Sequence, residues 1–128
     1  MITVTQKDAL KAEVVEPGIK NGECVGYKPD VDGKGAALHK FEIEVDYKGQ
    51  RYPLQDYFLS EKAISMGKNF FIACGFPADQ WEKLIKGETP TVAIDPNSCV
   101  GKKFRVNVIN TEYNGRIQSK PGDFLPPA

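Results

Sequence analysis

Alternation of apolar and polar side chains is clearest between Leu38 and Tyr47. There Phe41, Ile43, Val45 and Tyr47 alternate with Lys40, Glu42, Glu44 and Asp46. One apolar and one wet face predict an antiparallel strand covered on one side. Lys48-Gly49-Gln50 reads as a short turn. Arg51 to Leu59 then resumes the strand pattern, with Pro53 marking an edge or a bulge. Lys102 to Thr111 alternates again, with Phe104, Val106 and Val108 on one side and Lys103, Arg105, Asn107 and Ile109 on the other. Asn114-Gly115 is a strong hairpin signal, and Arg116-Ile117-Gln118 begins the return strand.

Between the two hairpins the period changes. Ser60 is placed to cap a helix, and Ala63, Ile64, Phe70, Phe71 and Cys74 form a rough helical stripe up to Gly75, interrupted at Gly67. A second short helix is predicted from Pro77 to Ile85, where Trp81, Leu84 and Ile85 share a face. Thr91 to Ile94 reads as a short extended piece, and Asp95 to Ser98 as a turn. Ahead of the first hairpin, Leu10 to Glu16, with Val14-Val15 and a Pro17-Gly18 stop, predicts the first strand. Residues 17–36 carry Asn21-Gly22, Pro29-Asp30 and Asp32-Gly33, and are expected to form a long loop. Residues 120–128, rich in Pro and Gly, are expected to be a flexible tail, or one that packs back through Phe124 and Leu125.

Strand, long loop, hairpin, helical insert, hairpin is the element order of a mainly β fold. The expectation is an OB-like five-stranded antiparallel barrel over residues 1–119, with one or two helices between strands 3 and 4 at about residues 60–87. Such barrels bind oligonucleotides or oligosaccharides on one face, and fold alone does not assign the ligand. A chain of 128 residues suffices for one domain with its own core.

Charge narrows the options. The 17 basic and 17 acidic side chains cancel, so any grip on phosphates must come from a local patch or from stacking. Cys24, Cys74 and Cys99 are far apart and lack C-x-x-C spacing, which fits reduced thiols rather than a disulfide framework or a zinc site. No signal peptide is visible and the longest apolar run is too short for a membrane span; the expected location is the cytoplasm, that of the host if the protein is viral.

The candidate chemistry is that of nucleic-acid binding. Single-strand binders pair a basic groove with aromatic platforms. Tyr27-Lys28, Lys48, Arg51, Tyr57, and Tyr113 near Arg116 supply such pairings. Lys102, Lys103, Arg105, Arg116 and Lys120 would form a phosphate-contacting patch if the last two strands pair. The alternative is that Tyr47 and Tyr52 close the core and the lysines only solvate the surface. Glu42, Glu44 and Asp46 read as a solvated strand face. Asp30-x-Asp32-Gly33 lacks the downstream Glu of a calcium loop. His39, the only histidine, falls on the Phe41 side near the start of its strand, as a barrel-rim residue with no nucleophile beside it. No phosphate-binding loop, catalytic constellation, cofactor or metal site is predicted.

Several short motifs recur together in one order. They are Phe41-Glu42-Ile43-Glu44-Val45 with Tyr47-Lys48-Gly49, then Tyr57-Phe58-Leu59, the helical stretch ending in Cys74-Gly75, Val100-Gly101-Lys102-Lys103-Phe104-Arg105-Val106, and Glu112-Tyr113-Asn114-Gly115. Over residues 37–119 this order resembles phage-encoded OB-fold single-stranded-DNA-binding and recombination accessory proteins. The resemblance implies a non-enzymatic role in phage DNA replication or recombination. The expected partners are single-stranded DNA, replication or recombination proteins, and a further copy of the chain. The competing expectation is an OB-like protein-interaction module with no DNA binding of its own.

Overall fold

The computed structural model describes all 128 residues and is mainly β. The strands are β1 (Gly18–Val31), β2 (Ala37–Tyr47), β3 (Gln50–Pro53), β4 (Tyr57–Ser60), β5 (Lys103–Tyr113) and β6 (Arg116–Leu125). They form one curled antiparallel sheet in the order β3-β2-β1-β5-β6, with β4 also pairing with β2. The helices are α1 (Gln6–Lys11), α2 (Lys68–Ala73) and α3 (Ala78–Ile85). None is long and apolar enough to cross a membrane.

The expected strand at Leu10–Glu16 is replaced by α1 and a linker. Thr5 and Asp8 form a reciprocal capping box, each side chain accepting from the other's backbone N–H at 3.1 Å, and this starts a helix at once. Only Val15 of the predicted strand enters the core, and its N–H donates to Ser119 Oγ at 2.8 Å.

Most of the expected long loop is β1. Asn21-Gly22 lies mid-strand because the inner face there has no room for a side chain. A Cβ at Gly22 would sit 3.1 Å from both Phe104 Cε1 and Val106 Cγ1. A bulge between Cys24 and Gly26 then shifts the parity of the strand. Pro29 is tolerated because β5 pairs only with residues 18–23, leaving the far half of β1 as an edge. The true turn is short: Asp32 N–H donates to Ala36 O at 2.9 Å, and Asp32 Oδ1 accepts from Lys34 and Ala36 N–H.

The predicted hairpins are present. Lys48 and Gly49 both have positive φ, as a two-residue primed turn requires. The strand after it breaks at Pro53 into β3 and β4. In the gap, Leu54 N–H donates to Ile43 O and Gln55 N–H to Ser119 O, both at 2.9 Å. Ser60 caps the helical insert as expected, accepting from Ala63 N–H, but the first part is a 3-10 helix over Glu61–Gly67. Pro77 is the N-cap of α3 rather than its first residue, and residues 91–94 pair with no strand.

The tail expected to be flexible continues β6 to Leu125. A register shift at Val106/Val108 lets Pro121-Gly122 pass, and Phe124 is then buried opposite Val106. Its ring meets Tyr57, Phe70 and Phe104 at centroid distances of 4.9, 4.8 and 5.3 Å. Phe41 joins the same aromatic cluster at 4.7 Å from Phe70. This cluster, closed on one side by α2, is the centre of the core.

Candidate functional site

β2 has β1 on one side and β3 and β4 on the other, so its outward side chains stand in rows with theirs. At one level the register aligns Phe58 of β4, Lys40 of β2 and Lys28 of β1. Phe58 is 51 % exposed although its neighbour Leu59 is buried, which is the parity of a two-faced strand. Lys28 and Lys40 make no ion pair. Lys34 adds an exposed cation at the turn beyond them. The row thus joins an open aromatic face to uncommitted positive charge.

Farther along the same face lie Glu42, Glu44, Asp46 and Glu23. Two cations from elsewhere in the chain partly neutralise them. Lys7 of α1 lies 3.4 Å from Glu42 and 3.7 Å from Glu44. Arg51 of β3 reaches Glu23 and Asp46 at 2.8 Å and Glu44 at 3.5 Å. The hydrogen bond to Glu23, with the nearby Asp46 charge, holds the Arg51 guanidinium above its ordinary pKa. Between α1 and this face runs a groove of about 200 Å³ lined by Lys7, Lys11, Lys40, Glu42 and Asp56.

The sequence-predicted residues are not gathered in one place. Lys28 belongs to the row just described. Tyr27 points to the inner side, where its hydroxyl is hydrogen-bonded to His39 Nδ1 at 2.7 Å. His39, near the start of β2 on the Phe41 side, also meets Glu61 Oε1 at 3.2 Å through Nε2. Burial, and secondarily the Glu61 charge, raises the Tyr27 phenol. Tyr57 is no platform either: it packs among Phe41, Phe70 and Phe124, and burial raises its pKa, with Asp123 adding to the effect. Lys48 sits 5.3 Å from the Tyr47 ring centroid, and Tyr47 packs edge-on against the buried Tyr52, so the two tyrosines close that end of the core. Arg51 is fully committed to carboxylates.

The predicted cation patch is split, although its strands do pair. Lys103 lies opposite Glu23, and Arg105 donates its Nε–H to Pro126 O at 3.0 Å. Arg116 faces Tyr113 at the tip of the β5–β6 hairpin, eight residues farther along β5 than Arg105. That is about 27 Å of extended strand. Lys102 precedes β5 and lines a different cavity, beside Cys74 and Cys99. Proline and alanine at 127 and 128 lie beside Arg51 and Lys103 across a recess of about 340 Å³.

Sequence reasoning passed over Phe58, Lys40 and Lys7. Phe58 carried a usable signal, since Leu59 as a core residue puts its neighbour on the wet face. The approach of Lys7 to strand β2 carried none, because it depends on where α1 docks. No group of three or more His, Cys, Asp or Glu side chains is placed to hold a metal ion. Neither a family model nor a curated protein matches the chain.

Proposed function

We propose that the protein is an OB-like, non-enzymatic module that binds single-stranded DNA across the outer face of β1, β2 and β4. The observation that carries this reading is the row Phe58–Lys40–Lys28, an exposed ring beside two lysines that make no ion pair. A ring of this kind stacks on any base, and the lysines neutralise backbone phosphates, so binding is sequence-tolerant and salt-dependent.

The topology supports the same reading. If β3 and β4 count as one broken strand, three strands form a meander, the helical insert follows, and the last two return as a hairpin to pair with β1. This strand order supports the OB-like reading, in which a five-stranded, partly open barrel carries nucleic acid on strands 2 and 3. The opening between β4 and β6 is bridged at Gln55 N–H to Ser119 O. Action in phage DNA replication or recombination rests on the motif order of residues 37–119 alone.

The test is a fluorescence-anisotropy titration of labelled oligo-dT at low and at physiological salt. The reading expects a dissociation constant on the order of 1–100 μM at physiological salt, tightening as salt falls. No anisotropy change at low salt with protein in that range overturns it.

A second reading, docking on another protein, is favoured by the β5–β6 hairpin. Beyond Val108 this hairpin has no partner from β1, and its tip exposes Tyr113 and Ile117. A pull-down that fails with the hairpin tip changed, together with absent DNA binding, supports this second reading.

A further inference from the structure

We propose that Cys74 and Cys99 are a redox-modification site, at which hydrogen peroxide joins the two sulfurs in a disulfide that staples residues 75–98 to the barrel. The inference is independent of the nucleic-acid reading. All three cysteines are free thiols in the interior. Only Cys74 and Cys99 line a cavity of about 260 Å³ that is open at one side, together with Asp95, Ser98 and Lys102. Cys74 is 7 % exposed and Cys99 2 %, so this cavity is the route by which a peroxide-sized oxidant would approach them.

Both residues sit at element ends, where the backbone can adjust: Cys74 is the C-cap of α2 and Cys99 is the last residue of the 3-10 helix Pro96–Cys99. Each thiol is the largest single influence on the other's titration, as expected of neighbouring groups that line one cavity. The Cys74 thiol lowers the Cys99 pKa against the opposing effects of burial and of the Asp95 charge, and Lys102 adds a smaller lowering. The Cys99 thiol, with burial, raises Cys74. Cys24 differs: it does not line the cavity, its Sγ donates to Gly26 O at 3.5 Å, and burial pushes its pKa up to about 12.

The roles follow from this asymmetry. The thiolate is the reacting form. Cys99 Sγ attacks one peroxide oxygen and the O–O bond breaks. The departing hydroxide takes up a proton as water, leaving a sulfenic acid on Cys99. Cys74 Sγ then attacks that sulfur and the S–O bond breaks. The oxygen leaves as a second water, carrying the proton from Cys74. In sum, two thiols and one hydrogen peroxide give one disulfide and two waters.

The consequence is local. Residues 75–98 include no buried residue; Phe76, Trp81 and Ile94 rest half-buried against the core, and Glu82 of α3 lies 4.0 Å from Lys68 of α2. A staple at both ends of this segment restricts its opening.

The experiment treats the full chain with hydrogen peroxide, blocks remaining thiols with N-ethylmaleimide, and maps peptides without reduction. The expected product is a Cys74–Cys99 peptide pair lighter by two hydrogens, lost on dithiothreitol, with Cys24 recovered as the maleimide adduct. Tryptic cleavage of the native protein after Lys83 and Lys86 should slow several-fold on oxidation. Recovery of Cys74 and Cys99 as maleimide adducts, pairing of either with Cys24, or unchanged cleavage overturns the proposal. As a second arm, Cys74→Ser should leave a Cys99 sulfenic acid that dimedone traps. If that variant does not fold, the peptide map of the native chain decides alone.

Discussion

Replacing Phe58 with Ala removes the one open aromatic face in the proposed row while leaving the core untouched. Phe58 presents a single ring, so one stacked base is lost, at about 1–3 kcal/mol. Affinity for oligo-dT should fall roughly 5- to 150-fold. Because the side chain is half exposed, stability should fall by only about 1 kcal/mol, half of what full burial of such a side chain is worth. The companion change, Lys28→Gln with Lys40→Gln, removes two phosphate contacts. It should lower the slope of log affinity against log salt by about 1.4, at about 0.7 per contact on single strands. Changing Lys103 and Arg105 together should cost less, since Lys103 lies opposite Glu23 and Arg105 is held by Pro126. Anisotropy titrations over a salt series, with circular dichroism to confirm folding, read all three. A folded Phe58→Ala protein that binds as the native one does, or an unchanged salt slope in the double-lysine variant, refutes the assignment of this face.

Phe124→Ala should destabilise the fold by about 3–5 kcal/mol in urea unfolding, because its ring fills the space between Tyr57, Phe70 and Phe104; a change below 1 kcal/mol, roughly the surface range, contradicts the core role of β6. Gly67→Ala places a Cβ 2.5 Å from Leu59 Cδ2 and 2.9 Å from Phe71 Cε2, an overpacking that should cost about 1–3 kcal/mol in the same assay. Tyr57 has a raised folded pKa, so above the ordinary value of about 10 the unfolded chain ionises first and stability falls as pH rises. Tyr27 and Cys24 act with the same sign. Tyr57→Phe should therefore lose less stability than the native chain between about pH 9 and about pH 11; an equal loss contradicts the burial of that phenol.

How far the fold could be read from sequence depended on whether a strand's two faces obeyed a simple rule. β2 did, with Phe41, Ile43 and Val45 inside and acids outside, and so did β5 through Phe104, Val106 and Val108. β1 did not. Its inner positions include Gly22 and Cys24, both small, and the bulge before Gly26 moves Tyr27 to the inner face, so no alternation survives. Turn-forming pairs such as Asn21-Gly22 and Pro29-Asp30 then read as loop, although one is a packing requirement and the other sits on an open edge. The short α1 had a legible signal in the Thr5/Asp8 capping-box spacing, which the strand reading of Val14-Val15 passed over. At the candidate site the rows were the missing information. Which lysine lies beside which ring depends on register across three strands, and the grip of Arg51 on Glu23 joins residues 28 apart in sequence. Tyr27 and Tyr57 looked like platforms because an aromatic beside a cation or on a strand end has the same local pattern whether it faces inward or outward.

The central claim is that single-stranded DNA lies on the outer face of β1, β2 and β4. Titrating oligo-dT into isotopically labelled protein and following backbone amide shifts tests it residue by residue. The account predicts the largest shifts at Lys28, Lys40 and Phe58 and in the turn around Lys34, with the Tyr113–Arg116 hairpin tip little changed. Shifts concentrated at that tip, or at Lys103 and Arg105, or absent throughout, contradict it.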